Sequence, residues 1–344
     1  MGVTFPRNRN VSSRPRDFLK AWSLATLLLL PLMWTWELVF AENGSLSALL
    51  LYLPQHLYLI LPAMLGVWAL LKRRVRVALL NALSLTFSLV FPLGWQLHLP
   101  HQPSSATVRL VTFNIQRGEG DERRCEAALH SLNPDIVCLQ ESGLSTNIAL
   151  NAIGRHVLLG FPGWNARYAG DVTTLSRFPI MSDHVYPLVG SRRTLETVLQ
   201  TRSGPMRVLN THISTTFAGE RAPTSQLDRI AVLYETARPS AQARLNQLPA
   251  IHKAIDSGDT GTPLVLVGDF NTPPRGHFYG SLAGDLNDAF TSVGNGLGLT
   301  FPSRLPLLRI DYVWMRGVRA VSAFVGGPSG SDHRPLITDL EVSS

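Results

Sequence analysis

The sequence predicts an α/β domain preceded by three transmembrane helices. Three long apolar runs lie before residue 100, and short apolar or β-branched runs separated by helical patterns follow it. The chain has 344 residues, of which 45% are hydrophobic and only 16% are charged. Because this mixture is too apolar for a wholly soluble enzyme and the excess lies before residue 100, we divide the chain there.

The first part of the chain is typical of a membrane anchor. Each apolar run reaches the ~20 residues that a helix needs to cross a bilayer. The three runs are Ala21–Ala41, Ser45–Leu71 and Ala78–Leu99. We expect a basic tail over residues 1–20 and a three-helix transmembrane anchor over residues 21–99, with buried core helices as the alternative.

The first run contains one charge and one possible cleavage site. Glu37 is the one charged residue inside it. The tripeptide Val39-Phe40-Ala41 resembles a signal-peptide cleavage site, so a cleaved first span remains an open alternative.

Basic residues predict the orientation of this anchor. Lys and Arg favour the cytoplasmic side of a membrane, and the tail and the second loop hold all of those in the anchor. They are Arg7, Arg9, Arg14, Arg16, Lys20, Lys72, Arg73, Arg74 and Arg76. We therefore expect a multi-pass protein of the plasma (inner) membrane, with a cytoplasmic N-terminus and with the second part of the chain extracytoplasmic. Cleavage of the first span would not change that side.

The net charge divides along the same boundary. Residues 1–103 hold 9 of the 31 basic and 3 of the 24 acidic residues, so the remainder holds 22 basic and 21 acidic residues. The second part therefore lacks the net positive charge that is typical of nucleic-acid binding domains.

The second part predicts one domain over residues 107–344, joined by a polar, proline-rich linker over residues 100–106. The predicted strands are Val108–Phe113, Ile136–Leu139, Val172–Leu175, Arg207–Asn210, Leu264–Val267, Tyr312–Trp314 and Ile337–Glu341. The predicted helices are Asp121–Ser131, Ala241–Ile255, which Pro249 is expected to kink or split, and Phe278–Leu282. Residues Ser214–Gln242 have no predicted place in the sheet and are either a lid or an ordinary excursion with a short helix.

Two cysteines, Cys125 and Cys138, fall on a predicted helix and a predicted buried strand. Two buried free thiols and a disulfide are both open, because an extracytoplasmic location permits a disulfide. Neither cysteine has metal-ligand spacing to another, so a zinc site is not expected.

Short polar clusters follow or flank most of the predicted strands. In chain order they are Thr112-Phe113-Asn114-Ile115, Leu139-Gln140-Glu141, Asn210-Thr211-His212, Gly268-Asp269-Phe270-Asn271, Ile310-Asp311-Tyr312 and Gly330-Ser331-Asp332-His333-Arg334-Pro335-Leu336. Strand ends bring such side chains to one edge of a sheet. Carboxylate and amide oxygens, together with imidazoles, suit a hard divalent cation and a phosphate ester.

In this order the clusters resemble the motifs of the endonuclease/exonuclease/phosphatase family, also called the DNase I-like fold. The similar strings are TFN, LQE, LSRFPI, NTH, GDFNTPP, TFPS, IDY and SDHRP, over roughly residues 107–343. The resemblance implies a four-layered α/β sandwich of two packed sheets. It also implies a metal-dependent phosphoric ester hydrolase.

The resemblance implies a metal site on three residues. Asn114 and Glu141 are expected to bind Mg²⁺, for which Mn²⁺ is a possible substitute. Asp332 is expected to face the metal or to position its waters. Oxygen ligands from few residues, with water and substrate completing the octahedron, suit Mg²⁺.

The resemblance implies catalytic roles for five further residues. Asp269 is expected to orient and deprotonate the attacking water, and Asn271 to hold that water or a phosphate oxygen. His212 is expected to contact a non-bridging phosphate oxygen. Asp311 is expected to fix His333, which stabilises negative charge on phosphorus. Because no Ser or Cys nucleophile motif is present, direct in-line attack by water is the simplest mechanism.

The anchor guides the choice of substrate. A domain tethered close to a bilayer meets membrane lipids at high effective concentration. The layout is also similar to that of membrane-anchored bacterial members of the family, the teicoplanin-resistance membrane phosphatase type. We therefore expect a lipid phosphate as substrate and the bilayer as a partner, with no protein partner.

Two other functions stay open. One is a membrane-anchored extracytoplasmic nuclease or phosphodiesterase, which would need a local Arg-rich groove. That groove would use Arg192, Arg193, Arg202 and Arg207. The other is a non-catalytic binding or resistance factor, against which the intact ligand set argues. Arg167 and Tyr168 either contact phosphate or serve packing and solvation, and Arg177 is expected to be structural.

Overall fold

The computed structural model describes residues 15–100, 102, 107–116, 120–143, 152–190, 192–214, 225–259 and 261–342. The predicted tail and linker lie largely outside these residues. The chain forms two compact units, Met1–Thr35 with Gln55–Leu93 and Trp36–Pro54 with Gly94–Ser344. The second unit thus includes a stretch of the apolar N-terminal region, which we call the Trp36–Pro54 segment.

The prediction of three transmembrane helices was wrong in number. Helix α1 (Pro15–Phe40) continues into a short 3-10 turn, and together they form one apolar span, Phe18–Asn43. The second run is broken into α2 (Ser45–Tyr52) and α3 (Leu57–Leu71), bent by 73°. Among the described residues, length and composition therefore allow one crossing helix, or two if the bent pair counts as a span.

Proline accounts for both differences. Pro54 has no N–H and disfavours helical geometry at Leu53, which is extended (φ −72°, ψ 151°). The third run forms only α4 (Val75–Val90), which ends two residues before Pro92. Its 16 residues fall short of the ~20 that span a bilayer. Neither interruption can be recognised from hydropathy alone.

The second unit contains two six-stranded mixed sheets. In the first sheet the strands lie in the order β11 (Val318–Val325), β12 (Leu336–Val342), β1 (Thr107–Asn114), β2 (Ile136–Gln140), β4 (Val172–Ser176) and β3 (Asn165–Ala169). In the second sheet the strands lie in the order β5 (Ile180–Pro187), β6 (Arg193–Thr201), β7 (Gly204–His212), β8 (Leu264–Asp269), β10 (Asp311–Arg316) and β9 (Asn287–Asp288). The pairs β1–β2 and β7–β8 are parallel, and the other neighbours are antiparallel.

Six helices accompany the sheets in the described part of this unit, besides α2. They are α5 (Glu122–Leu132), α6 (Ala152–Gly160), α7 (Gln226–Leu245), α8 (Leu248–Asp256), α9 (Gly276–Ala283) and α10 (Ala289–Val293). The predicted helix Ala241–Ile255 is split, as expected, but before Pro249, which lies in the first turn of α8. The excursion Ser214–Gln242 contains most of the 20-residue α7 rather than a short helix, and residues 215–224 lie outside the described residues.

Successive side chains along each strand point to opposite faces of its sheet, so each sheet packs against a different layer on each face. One face of each sheet points into a shared core, where Leu110 and Cys138 of the first sheet pack with Val208, Val265 and Val313 of the second. The opposite face of the first sheet packs on α5 and α6, and that of the second packs on α8 and α9. The result is the α/β/β/α sandwich that the sequence predicted.

All seven predicted strands are present, and five others were missed: β3, β5, β6, β9 and β11. Most of these are edge strands or lie beside one. Strand β5 is largely exposed, so its residues show no buried apolar run. Strand β6 carries Thr, Glu and Gln among its apolar positions, which obscures the alternation.

Both cysteines are buried free thiols, so the disulfide alternative was wrong. Cys138 faces the core between the sheets, whereas Cys125 on α5 packs against the opposite face of the first sheet. Burial raises the pKa of each thiol to about 12.

The Trp36–Pro54 segment is an integral part of the second unit. Ala48 of α2 packs against Ala237 and Ala241 of α7. The Glu42 carboxylate accepts hydrogen bonds from the backbone N–H groups of His277 (2.8 Å) and Phe278 (3.2 Å) in the first turn of α9. A carboxylate there satisfies N–H groups that lack partners within the helix and complements the helix dipole.

Candidate active site

The predicted site residues converge at one edge of the two sheets. Asn114 ends β1 and is paired in register with Gln140, which ends β2 just before Glu141. In the second sheet His212 ends β7 and pairs with Asp269 at the end of β8. The parallel pairing of each couple therefore places its polar side chains at the same level.

The remaining predicted residues reach this edge from the antiparallel strands and loops. Asp311 begins β10 directly opposite Asp269, because β10 runs antiparallel to β8. Asp332 and His333 lie just before β12. The Ser331 hydroxyl donates to the Asn114 carbonyl at 2.7 Å, which ties this loop to the end of β1. All eight predicted residues are thus brought to the same edge.

Asp269 lies at the centre of the cluster and is only 1% exposed. Its Oδ2 accepts a hydrogen bond from Asn114 Nδ2 at 2.9 Å, and its Oδ1 accepts one from the Asn271 backbone N–H at 2.9 Å. The Nε2 atoms of His212 and His333 lie 3.5 and 3.7 Å from Asp269 Oδ2. A carboxylate held by two donors between two imidazoles is oriented for proton transfer.

Each histidine is itself fixed by a second carboxylate. His333 Nδ1 lies 2.9 Å from Asp311 Oδ2, and His212 Nδ1 lies 2.8 Å from Asp171 Oδ2. In both rings Nδ1 is therefore engaged, and Nε2 is directed toward Asp269. The second pairing was not predicted from the sequence.

Charge follows from these pairings. Burial by itself lowers the pKa of His333, but the negative charges of Asp311 and Asp269 outweigh it and raise the pKa to about 10. Burial by itself raises the pKa of Asp171, but the His212 hydrogen bond and the Arg192 guanidinium hold it below its ordinary value. At neutral pH His333 is therefore an imidazolium, and the Asp171 carboxylate beside His212 stays ionised, whereas burial raises the pKa of Asp311.

Several backbone conformations at the site are unusual. Gln116, Glu141 and Asn271 have φ values of 52°, 58° and 50°, in the left-handed region that non-glycine residues rarely adopt. Gly268, with φ 145°, precedes Asp269, and a Cβ there would lie 1.8 Å from the Thr211 carbonyl oxygen. Strained backbone of this kind is concentrated at functional sites, where the surrounding structure holds it.

The cluster opens into a cavity of about 320 Å³. Its polar lining includes Asn114, Glu141, Asp269, Asn271, Asp332 and His333. Pro273, Phe301, Leu308 and Ile310 form an apolar part of the wall. Tyr52 and Arg244 complete the wall, and neither was predicted from the sequence.

Two donor sets here are suited to a metal ion. Asp269, Asp311 and His333 bring ligand-type atoms within 4.8 Å of one another. Glu141, Asn114 and Asp332 supply oxygen atoms only, in the same cavity. Three carboxylates line this cavity, those of Glu141, Asp269 and Asp332, and a divalent cation would offset their mutual repulsion, so the residues fit a divalent metal.

The arginines expected to form a nucleic-acid groove do not do so. Arg192 is buried against Asp171 and His212, and Arg207 is buried in an ion pair with Glu196. Arg192 thus supports the His212 anchor instead of facing a ligand. Arg193 donates to the backbone carbonyls of Gly190 and Arg192. Two of the four guanidiniums that the nuclease alternative would use, those of Arg192 and Arg207, are therefore engaged internally.

Three other residues singled out from the sequence lie away from the cluster. Arg167 on β3 pairs with Asp183 at 2.7 Å, and its neighbour Tyr168 is 42% exposed. Neither lines the cavity. Arg177 donates to Asn133 Oδ1 at 2.7 Å and stacks over Trp164, which agrees with a structural role.

Asp171 and Arg192 are the functional residues that sequence reasoning missed. Asp171 lies in the turn between β3 and β4, and β3 itself was not predicted. Arg192 precedes β6, another missed strand. Without those strands nothing in the sequence brings either residue to His212.

Two mixed sheets packed face to face, with carboxylates, amides and imidazoles at one common edge, define a class of α/β phosphoester hydrolases. The model of the "Endonuclease/Exonuclease/phosphatase family" matches residues 111–333, and the chain belongs to that family. Members of the family are typically phosphoester hydrolases and commonly use a divalent metal.

Solved structures agree with this fold. The chain is similar to an endonuclease/exonuclease/phosphatase from Bacteroides vulgatus, with 18% identity and a TM-score of 0.53, covering 70% of this chain and 100% of that one. It is also similar to TDP2 of D. rerio complexed with single strand DNA product, with 13% identity and a TM-score of 0.52, covering 69% and 100%. At these identities the likeness shows the fold alone. No curated protein matches the chain in sequence.

Proposed function

We propose that this chain is a Mg²⁺-dependent phosphohydrolase that acts on a lipid phosphate at the outer face of the plasma membrane. The observation that carries the proposal is the shared cavity. Asp269, His333 and Glu141 face the same space as Tyr52, which ends the apolar helix α2. Groups suited to phosphate chemistry and an apolar wall thus meet in one pocket.

The metal would be held by Glu141, Asn114 and Asp332, with Mn²⁺ as a substitute. Mg²⁺ prefers oxygen donors, which this set supplies throughout. The alternative set contains the His333 ring, and imidazole donors suit transition metals better. When bound, the metal would supply Lewis-acid stabilisation of negative charge on the phosphate oxygens.

The protein groups would perform the remaining steps of a direct displacement. Asp269 accepts a proton from a water molecule as the water oxygen forms a bond to phosphorus. The bond from phosphorus to the leaving oxygen breaks, and its electron pair stays with that oxygen. His212 and His333 donate hydrogen bonds to non-bridging oxygens, and the positive charge of His333 offsets the charge that develops there.

Helix α1 alone would determine on which side of the membrane the second unit lies. The Trp36–Pro54 segment and residues after Gly94 belong to one compact unit, so they lie on the same side. The basic N-terminal tail favours the cytoplasm, and a single outward crossing by the Phe18–Asn43 span would place that unit outside.

Hydrolysis assays test the activity. The purified full-length protein, in detergent with Mg²⁺, is offered a polyprenyl pyrophosphate, a phospholipid and plasmid DNA. Asp269→Asn is expected to lower turnover about 10³-fold, as for loss of a general base. The matched control is Asp183→Asn, at an exposed carboxylate outside the cavity. Nicked plasmid with untouched lipids would instead identify an anchored nuclease.

Labelling in intact cells tests the orientation. Asp256→Cys introduces a thiol at a side chain that is 70% exposed, while both native cysteines are buried. A membrane-impermeant maleimide is expected to label this variant without lysis. Labelling only after lysis would contradict the extracytoplasmic location.

A further inference from the structure

We infer that Arg244, positioned by Tyr52, is a substrate-binding residue that takes a second phosphate group. The substrate would then be a diphosphate ester, with one phosphate at the Asp269 cluster and the other on Arg244. This inference rests on the proposed phosphohydrolase and specifies the chemical class of its substrate.

Arg244 is an arginine whose charge has no partner in the described structure. It is only 2% exposed, yet it lines the cavity together with Asp269 and His333. Among the described residues no carboxylate lies within ion-pair distance of it. Within the part of the chain that the structure describes, its side chain donates one hydrogen bond, from Nε to the Tyr52 hydroxyl at 2.9 Å. Burying a cation without a counter-ion is costly, so this arrangement points to an anionic ligand.

The other buried arginines of this unit show the contrast. Arg192 contacts Asp171, Arg207 pairs with Glu196, and Arg309 contacts Asp288, so each has an internal carboxylate. Arg244 differs from them in facing the cavity. With Nε committed to Tyr52, its two terminal nitrogens remain to donate, and that pair matches two oxygens of one phosphate.

Tyr52 holds the guanidinium in place through two contacts. The hydroxyl accepts from Nε, and the centre of the tyrosine ring lies 4.2 Å from the guanidinium carbon. This cation–π geometry fixes the plane of the guanidinium as well as its position. Tyr52 comes from the Trp36–Pro54 segment, about nine residues beyond the end of the span at Asn43. Eight residues of α2 rise only ~12 Å, so the second phosphate site lies close to the end of that span.

This geometry suggests how a diphosphate would react. Water attacks the terminal phosphorus at the Asp269 cluster, and the bond from that phosphorus to the bridging oxygen breaks. The electron pair stays on the bridging oxygen, which leaves as part of the ester monophosphate held by Arg244. Inorganic phosphate and the ester monophosphate are the products, and Asp269 takes the proton of the water. Arg244 stabilises the leaving group because negative charge increases there during the reaction.

The test compares dodecyl diphosphate with dodecyl phosphate as substrates for the full-length protein in detergent with Mg²⁺. The quantity measured is the ratio of kcat/KM for the two substrates. Wild type is expected to prefer the diphosphate by about 10-fold or more, and Arg244→Gln to lower kcat/KM for the diphosphate alone by about 10- to 100-fold. Arg244→Lys should restore part of this loss, and Tyr52→Phe should raise KM for the diphosphate. Arg238→Gln, an exposed position on the same helix α7, is the matched control.

The outcomes separate this inference from the proposed function. Retained activity on the monophosphate shows that the Arg244→Gln variant is folded. No wild-type preference, an unchanged ratio in Arg244→Gln, or an equal loss on both substrates would overturn the inference while leaving the phosphohydrolase intact. If the wild-type protein hydrolyses neither substrate, the affinity for methylenediphosphonate, measured by calorimetry, tests the second phosphate site instead. Binding that weakens in Arg244→Gln but not in Arg238→Gln supports the second phosphate site, and equal binding by all three proteins overturns it.

Discussion

Substituting Glu37 and Arg275, singly and together, tests whether the Trp36–Pro54 segment is structurally part of the catalytic unit. Glu37 is fully buried and lies 2.9 Å from Arg275 Nε, between the GDFN turn and α9. Arg275 also donates to the Leu51 carbonyl, so it joins two points of the segment. Removing one partner of a buried ion pair leaves an uncompensated charge.

The expected magnitudes follow from this geometry. Glu37→Leu or Arg275→Met alone should each lower the free energy of unfolding by about 3–5 kcal/mol. In a unit of this size each kcal/mol corresponds to roughly 2–4 °C, so a loss of about 3 kcal/mol lowers the melting temperature by about 6–12 °C. The double variant leaves neither charge of this pair uncompensated by the other, and the hydrogen bond to Leu51 that it also loses is worth about 1–3 kcal/mol.

Thermal unfolding of the detergent-purified protein, followed by tryptophan fluorescence, measures this cycle. Trp314 is 1% exposed and reports on the core of the unit. The double variant should melt above either single variant. If its loss equals the sum of the two single losses, Glu37 and Arg275 are not coupled. The segment would then not be held by this pair, and the reasoning from burial would be refuted.

Three further predictions concern the site and the core. Asp171→Asn should lower kcat about 100-fold, because it removes the group that orients His212, and should also lower the melting temperature, because it leaves the buried Arg192 guanidinium without its carboxylate; steady-state kinetics and thermal unfolding measure the two effects. Cys125 and Cys138, with pKa values raised to about 12 by burial, should react with a thiol reagent at pH 8 only after unfolding, so rapid labelling of folded protein would contradict their burial. Asp339→Asn should shift the urea midpoint at pH 7 but not near pH 2. Burial alone raises the pKa of Asp339, but hydrogen bonds hold it below its ordinary value, so its stabilisation is present above pH ~4 and is lost as pH falls through the folded pKa.

The sequence predicted the centre of each sheet and missed most of the edges. Strands such as β1 and β8 are buried on both faces, so they appear as continuous apolar runs ending in polar residues. Strand β5 has exposed residues along most of its length, and its pairing with β6 is set by tertiary contacts. Hydrophobic patterning is therefore informative only where both faces are covered.

The same distinction explains which site residues were found. Asn114, Glu141, His212 and Asp269 lie at or just after the ends of central strands, and within each sheet the register brings two of them to the same level. Asp171 and Arg192 reach His212 from an unpredicted hairpin and from just before a missed strand, whereas Tyr52 and Arg244 reach the cavity from an apolar helix and from the long helix α7. Their contacts join residues that are distant in sequence and that no local pattern marks as polar strand ends.

The Trp36–Pro54 segment shows where hydropathy and function diverge. By composition the run Ser45–Leu71 is a uniform apolar stretch, yet its first half belongs to the catalytic unit and its second half does not. The two polar groups that stand out in this region, the Glu37 carboxylate and the Tyr52 hydroxyl, both meet arginines of the catalytic unit. A carboxylate facing lipid is strongly disfavoured, and Glu37 pairs instead with the buried Arg275. The apolar N-terminal region is therefore more than a tether, because one part of it forms a wall of the cavity and holds the arginine that we assign to the second phosphate.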